Sequence, residues 1–402
     1  MKVFWHSNAP WVSTGYGNQT AQVTSRLKGM GHEVGICAFY GLHGAKLEWN
    51  EIPIYPGGAD GYANDVYTSH AAHFFGGTPD KAGLIISLVD AWILNPQTAS
   101  RANHAVWAPV DHEDVVPGVE AFFKNSGSRC IAMSESGKEA FARKDIEADF
   151  IPHGVDTELF KPINRKECRQ QLGIEEDAFM VGMVAANKGV ELPRKAFAET
   201  LAAFKQLQAK HSDAILYLHT DPHGINQGVD LYALCNHIGV PHDSLRWVDP
   251  YQYNGLGCSD THMVAIYNAM DVLINPAYGE GFGIPVLEAQ ACGTPVIVQD
   301  FTAMQEVGKV GWQVGGQKIW TVQKGYQRVP NIDELVEALE AAYDGAGKKR
   351  KSARDHALTF DADMVADTYW KPFLESAEAR LAEKSLAAGG VEIVKPTIEV
   401  AA

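Results

Sequence analysis

One stretch of the chain leaves little freedom in how it folds. The apolar run Val272, Leu273, Ile274 and Asn275 leads through Gly279, Gly281 and Gly283 to Pro285, then through a short helical span to a second apolar run, Val296, Ile297 and Val298. Continuous apolar runs bounded by turn residues read as strands buried on both faces, which in a parallel sheet need a helical crossover between them. Pro285 suits the helix start, where its fixed φ helps and its missing N–H goes unmissed. Gly281 and Gly283 leave backbone N–H groups free to face an anion there. Glu280 falls in the loop at the carboxyl end of the strand, where open α/β sheets bind ligands. Glu288 is expected in the first helical turn, beside the same cleft. Two carboxylates alone would do no more than complement the helix dipole. With the paired glycines between them, they are suited to gripping hydroxyl groups on either side of a diphosphate, as a nucleotide sugar requires.

The same alternation of strand and helix recurs along the chain. Its first half opens with a strand at 2–6, a loop of small residues, a helix at about 18–30, a turn at Gly31 and a strand ending at Cys37, which is a βαβ unit. Apolar runs at 83–88, 104–109, 130–133 and 150–152 continue the series, whereas 41–80, rich in Gly, Tyr and His, shows no assignable pattern. A second series has strands at 179–184, 214–218, 245–248, 272–275 and 296–298. The boundary falls near 162–176, where 164–171 is polar. The expected architecture is α/β, with two Rossmann-like domains facing each other across a cleft. The first spans 1–165 and the second 166–370, with a helix at about 370–385 packing back on the first domain and a frayed tail at 386–402. A chain of 402 residues is long enough for two such cores. A further helical pattern at 332–343 precedes Lys348, Lys349, Arg350 and Lys351, which read as a solvated helix face.

Hydrophobic residues make up 46% and charged residues 21% of the chain, the composition of a globular protein. No apolar run reaches the ~18 residues of a membrane span, and the sequence runs from Met1 into a strand rather than a secretory signal. Six scattered cysteines without a C-x-x-C pair read as reduced thiols, which places the protein in the cytoplasm. A net charge of −15 disfavours a nucleic-acid partner or an anionic membrane, although a local basic groove is compatible with it.

Several other residues fit the same chemistry. Gly15, Tyr16 and Gly17 sit in the first strand-to-helix turn, where backbone amides face a phosphate or sugar or the glycines merely shape the chain. Asn187 and Lys188 end the first strand of the second domain, and Arg194 and Lys195 open the helix that follows. Fixed cations at that point stabilise the charge that develops on a departing diphosphate. Asp111 and His112 follow a first-domain strand and therefore face the cleft, where either one is placed to orient an acceptor hydroxyl. His219 and His223 do not make a metal site, because Pro222 keeps them off a common helix face. No metal and no cofactor are expected.

The Glu280–Glu288 stretch resembles the E-x7-E signature of the retaining glycosyltransferases of family 4, which have the GT-B fold. Gly31-His32-Glu33-Val34 and the turn at 13–19 resemble the amino-terminal half of that family. The likeness extends from residue 1 to about 375 and is strongest at 266–300. It implies a retaining, metal-independent glycosyltransferase that moves a sugar from a nucleoside-diphosphate sugar, its co-substrate, to the hydroxyl of a saccharide, lipid-linked or protein acceptor. In this reading Glu280 holds the donor sugar, Glu288 holds the ribose, and the amides of Gly281, Phe282 and Gly283 bind the diphosphate with Arg194 and Lys195. The family spaces its arginine and lysine five residues apart, and this chain departs from that with the adjacent pair Arg194 and Lys195. The alternatives are a transferase acting on a hydroxymethylated DNA base and a sugar-nucleotide-binding protein without turnover. A Glu280→Gln variant is expected to lose turnover with little effect on folding.

Overall fold

The computed structural model describes residues 1–189 and 193–388. Its first sheet is built from β1 (Lys2–Asn8), β2 (Glu33–Tyr40), β3 (Leu47–Trp49), β4 (Ile52–Pro56), β5 (Leu84–Leu88), β6 (His104–Ala108), β7 (Arg129–Ala132) and β8 (Ala148–Phe150). Their spatial order is β3-β4-β2-β1-β5-β6-β7-β8, parallel except for β3 against β4. The second sheet contains β9 (Phe179–Val184), β10 (Ala214–His219), β11 (Leu245–Trp247), β12 (Val272–Asn275), β13 (Val296–Gln299) and β14 (Trp312–Val314). Its order is β11-β10-β9-β12-β13-β14, parallel throughout. In both sheets the chain first builds outward on one side and then jumps to the other. That reversal lies between β1 and β5 in the first sheet and between β9 and β12 in the second, and it opens a crevice at the carboxyl ends of those strands.

The central strands are buried because they are apolar on both faces, as parallel strands covered by helices must be. Trp5 on β1 and Trp107 on β6 meet Trp370 edge-on, with ring centroids 5.7 and 5.0 Å from that of Trp370. Trp370 directly precedes the last helix, Lys371–Ala388, which lies against the first domain. Arg129 sits over the Phe373 ring, and the amino terminus pairs with Glu378. The tail expected to fray from 386 lies, beyond Ala388, outside the described residues.

Four elements differ from the sequence expectation. The first helix begins at Gly15 rather than near 18, because the Thr14 side chain accepts the Gly17 N–H and caps it there. The unassigned 41–80 holds β3, β4 and a helix, Tyr67–Phe75. The helix starting at Ile332 runs on to Ala357, straight through Gly345 and Gly347. Its basic run is therefore not simply a solvated face. Lys348 and Lys351 point outward, but Lys349 donates to the carbonyls of Val310 and Gly311 and Arg350 to that of Met270. Finally, Glu288 is the fifth residue of its helix, Ile284–Ala291, and so lies one turn further in than expected.

An antiparallel hairpin, β15 (Gly316–Trp320) and β16 (Tyr326–Pro330), leaves the second domain and crosses to the first. There Glu113 and Tyr326 exchange two backbone hydrogen bonds of 2.8 Å, and Lys318 pairs with the Glu113 carboxylate. A second clasp comes from Glu306, whose carboxylate accepts the N–H groups of Glu135 and Ser136 at the start of a first-domain helix. The two domains are thus held closed over the crevice.

Candidate functional site

Both topological reversals deliver polar loops to one place. After β12 the chain passes through Gly279 and Glu280 to Gly283, whose φ of 99° is open to glycine but strained for other residues. The amide hydrogens of Gly281, Phe282 and Gly283 meet no acceptor among the described residues, whereas that of Glu280 is bonded to the Thr302 hydroxyl. The loop after β9 returns Arg194 and Lys195 to the same spot. Arg194 donates to the Gly279 carbonyl and to Glu280 Oε2, and Lys195 pairs with Glu280 Oε1. Burial works to raise the pKa of the Glu280 carboxyl, but the two cations outweigh it and hold that pKa below the usual carboxylate range. The cluster therefore sets two cations on one buried carboxylate.

The first domain closes over this cluster. Asp111, after β6, faces Arg194 Nε at 3.9 Å and holds His112 Nδ1 at 2.7 Å. Burial works against ionisation of Asp111, yet His112 and Arg194 keep its pKa below the ordinary value. The Tyr16 phenol, from the first turn of the helix after β1, lies in the same field; burial raises its pKa, and Asp90 and Asp111 add to the rise. The approach is close because glycines permit it. A Cβ on Gly279 would stand 1.9 Å from the Asp111 carbonyl oxygen, and one on Gly281 2.3 Å from Pro109 Cβ. Gly279→Ala is therefore expected to prevent full closure. If the second domain holds a nucleotide by itself, affinity for that nucleotide should persist while kcat falls on the order of a hundredfold. Calorimetry beside steady-state kinetics separates the two effects, and parallel losses in both would contradict this account.

The remaining sequence candidates are placed less uniformly. Glu288 is buried, and its Oε2 accepts the Tyr267 hydroxyl at 2.7 Å. Burial raises its pKa to about 7 against the opposing pull of that hydrogen bond. Lys188 lines the space between the domains. Gly15 lies against Ile284 at the start of the glutamate helix, and Gly17 over the Val12 carbonyl. Asn187 is turned away from the expected role. Its side chain donates to the carbonyls of Asp221 and Val229 and accepts the Val229 N–H, which staples the loop after β10 and leaves no free amide for a ligand. The Phe282 ring packs on His153 and Phe360 at the junction of the domains, so only its backbone is available to an anion. His219 bonds the Tyr217 hydroxyl and His223 packs on Tyr232.

A cavity of about 700 Å³ lies between the domains, bounded by the Asp111–Arg194–Lys195 group, by Asp90 and Trp92 after β5, and by the hairpin tip at Thr321, Val322 and Gln323. Asp90, Trp92, Tyr267, Thr302 and the hairpin tip had not been singled out from the sequence. Only the chain order of the strands gives Asp90 away, since it follows β5 at the reversal.

Residues 175–344 match the family Glycosyl transferases group 1. The D-inositol 3-phosphate glycosyltransferase of Kribbella flavida is 27% identical over 252 residues, 60% of this chain and 54% of that protein. D-inositol 3-phosphate glycosyltransferase 2 of Catenulispora acidiphila is 30% identical over 54% of this chain and 48% of that protein. The chain thus spans about half the length of the curated relatives it matches. Among solved structures, sucrose-phosphate synthase from Thermosynechococcus elongatus superposes with a TM-score of 0.71 at 17% identity, over 97% of this chain and all of that one. HepE of Anabaena in complex with UDP-glucose superposes with a TM-score of 0.65 at 14% identity, over 93% of this chain and all of that one. These superpositions establish a shared architecture, and the matched second domain carries the glutamate pair on it. Residues 175–344 are thus similar to the group 1 glycosyltransferases, and the chain as a whole has the GT-B fold.

Proposed function

We propose that the protein transfers a sugar from a nucleoside-diphosphate sugar to an acceptor hydroxyl, with retention of configuration and without a metal. The observation that carries this reading is the cluster of Glu280 with Arg194 and Lys195, set against unpartnered loop amides and faced by Asp111. A diphosphate draws on the two cations and on the amides of residues 281–283, and Glu280 is thereby released to accept hydroxyl hydrogens from the sugar. The acceptor oxygen forms its bond to the anomeric carbon on the face from which the diphosphate departs. The bond from that carbon to the phosphate oxygen breaks with its electron pair, and the acceptor's proton passes to that oxygen. Arg194 and Lys195 stabilise the developing charge in place of a metal ion. Glu288, backed by Tyr267, takes the ribose hydroxyls. Among the described residues no helix is long and apolar enough to cross a membrane.

The test is thermal shift with a panel of nucleoside diphosphates and sugar nucleotides, with and without Mg²⁺, followed by NMR of the anomeric linkage in the product. UDP-glucose comes first in that panel because HepE shares the fold and was crystallised with it. A selective, metal-indifferent shift and a retained anomer support the proposal. An inverted anomer, or binding that requires Mg²⁺, would overturn the corresponding part of it.

Glu288 adds a pH dependence. Its carboxyl holds a proton below about pH 7, while a ribose diol bonds best to the ionised form, so binding releases that proton. Affinity for a nucleoside diphosphate is expected to rise with pH, by up to about tenfold per unit, until pH passes the pKa. Calorimetry from about pH 6 to 8, with Glu288→Gln as reference, isolates the effect, because titration of the phosphates is common to both proteins. Equal slopes would remove Glu288 from the ribose site.

A further inference from the structure

The wall that the first domain contributes to the cavity has a definite chemical character. The residues it supplies include Asp90, Asp111 and Asp114 and no lysine or arginine, while Lys188, Arg194 and Lys195 all come from the second domain. Two of the three aspartates are already engaged. Asp111 holds His112 and faces Arg194, and Asp114 is paired with Arg143 at 2.6 Å. Asp90 is not. It stands at the N-cap of a short 3₁₀ turn, yet its side chain caps no amide there, and it forms no ion pair among the described residues. Its carboxyl is drawn up to about 6 by burial, with Asp111 adding to the rise and Arg194, its own backbone amide and Lys188 opposing it. Next to it Trp92 is half exposed toward the same space. An apolar ring beside an uncommitted carboxylate is a pocket that orients a ligand through a few placed polar contacts.

We propose that this wall is the acceptor subsite, that Asp90 accepts hydrogen bonds from hydroxyls of the acceptor next to the one that attacks, and that the acceptor is an uncharged polyhydroxyl compound, a sugar or cyclic polyol lying on Trp92. The proposal rests on the transferase reading above. A phosphate ester in this position would bring its charge against Asp90 with no cation on its own wall to receive it; of the cations opposite, Arg194 and Lys195 are those that the donor diphosphate occupies, and Lys188 already acts on Asp90 itself. The acceptor of this chain therefore differs in charge from the inositol phosphate named for its relatives. The same argument turns away a nucleic-acid backbone.

The experiment measures release of nucleoside diphosphate from the donor identified by thermal shift. The acceptors are glucose, maltose and myo-inositol, each against its phosphate ester, and a duplex bearing hydroxymethylated bases. Saturation-transfer NMR of the same compounds on the nucleotide-bound protein runs in parallel. Neutral acceptors are expected to bind and to stimulate release, with the esters weaker by about tenfold or more. Asp90→Asn is expected to raise KM for the neutral acceptor by about ten- to a hundredfold with nucleotide affinity unchanged, and Asp90→Lys to shift preference toward the ester. Preference of the unaltered protein for an ester or for the duplex, binding of no neutral compound to the nucleotide-bound protein, or an unaltered KM in a folded Asp90→Asn variant would each overturn the proposal. Failure of every nucleotide to bind would instead strike the transferase reading itself.

Discussion

Glu280→Gln is expected to lower kcat by a few tens-fold or more, roughly 2–4 kcal/mol of barrier. The amide is nearly the same size and still accepts a hydrogen bond, so in the proposed reading the loss measures the charge that faces the sugar. The sequence alone suggested that folding would be indifferent to this change. The structure revises that expectation, because Glu280 is 8% exposed and is the shared partner of Arg194 and Lys195. Removing its charge leaves two part-buried cations facing Asp111 and, more weakly, Asp90, and about 1–3 kcal/mol of stability should go with it. The pH dependence has a definite sign. A carboxyl whose pKa is depressed on folding contributes stability above its unfolded value and loses it as pH falls through the folded value. The original protein should therefore lose melting temperature steeply under acid, and the Gln variant less so. Full activity in the variant, or identical acid profiles, would remove Glu280 from its assigned place.

Arg194→Ala combined with Lys195→Ala attacks the same cluster from the other side. Charge-assisted bonds to a diphosphate are strong, so losing both cations is expected to weaken nucleotide binding by about a hundredfold or more. Glu280 then remains buried without either ion-pair partner. Its pKa should move from below the ordinary value to above it, which reverses the linkage, and stability in the double variant is expected to fall as pH rises through the new value. Calorimetry with the nucleoside diphosphate and melting curves over pH read the two consequences separately. Unchanged affinity would refute the diphosphate role even if the stability profile inverted.

What the sequence made legible follows from how strongly each feature depends on its neighbours. The strands β9, β12 and β13 were readable because a strand covered on both faces must be apolar at nearly every position. The glutamate loop was readable because glycines and a helix-starting proline fix the backbone locally. β3 and β4 were not, being short strands near the end of the sheet, β3 outermost and β4 carrying Pro53 and Pro56, with no periodicity to see. Gly345 and Gly347 hid the second half of the helix Ile332–Ala357, whose inner face, with Ala346 and Ala353 buried, holds it in place where propensity would not. The spread of Arg194 and Lys195 around one carboxylate, the loss of Asn187 to a neighbouring loop and the freedom of Asp90 depend on residues far away in the chain. They appear only once both sheets are assembled.

The crossing hairpin bears on how such a protein changes over time. Its hold on the first domain rests largely on two hydrogen bonds between main-chain atoms of Glu113 and Tyr326, and main-chain atoms are the same whatever side chain they carry. The tip residues Thr321, Val322 and Gln323 border the cavity and take no part in those two bonds. Substitutions there are therefore free to remodel what the cavity admits while the fastening persists. The rim can drift toward new substrates without each step first having to rebuild the join.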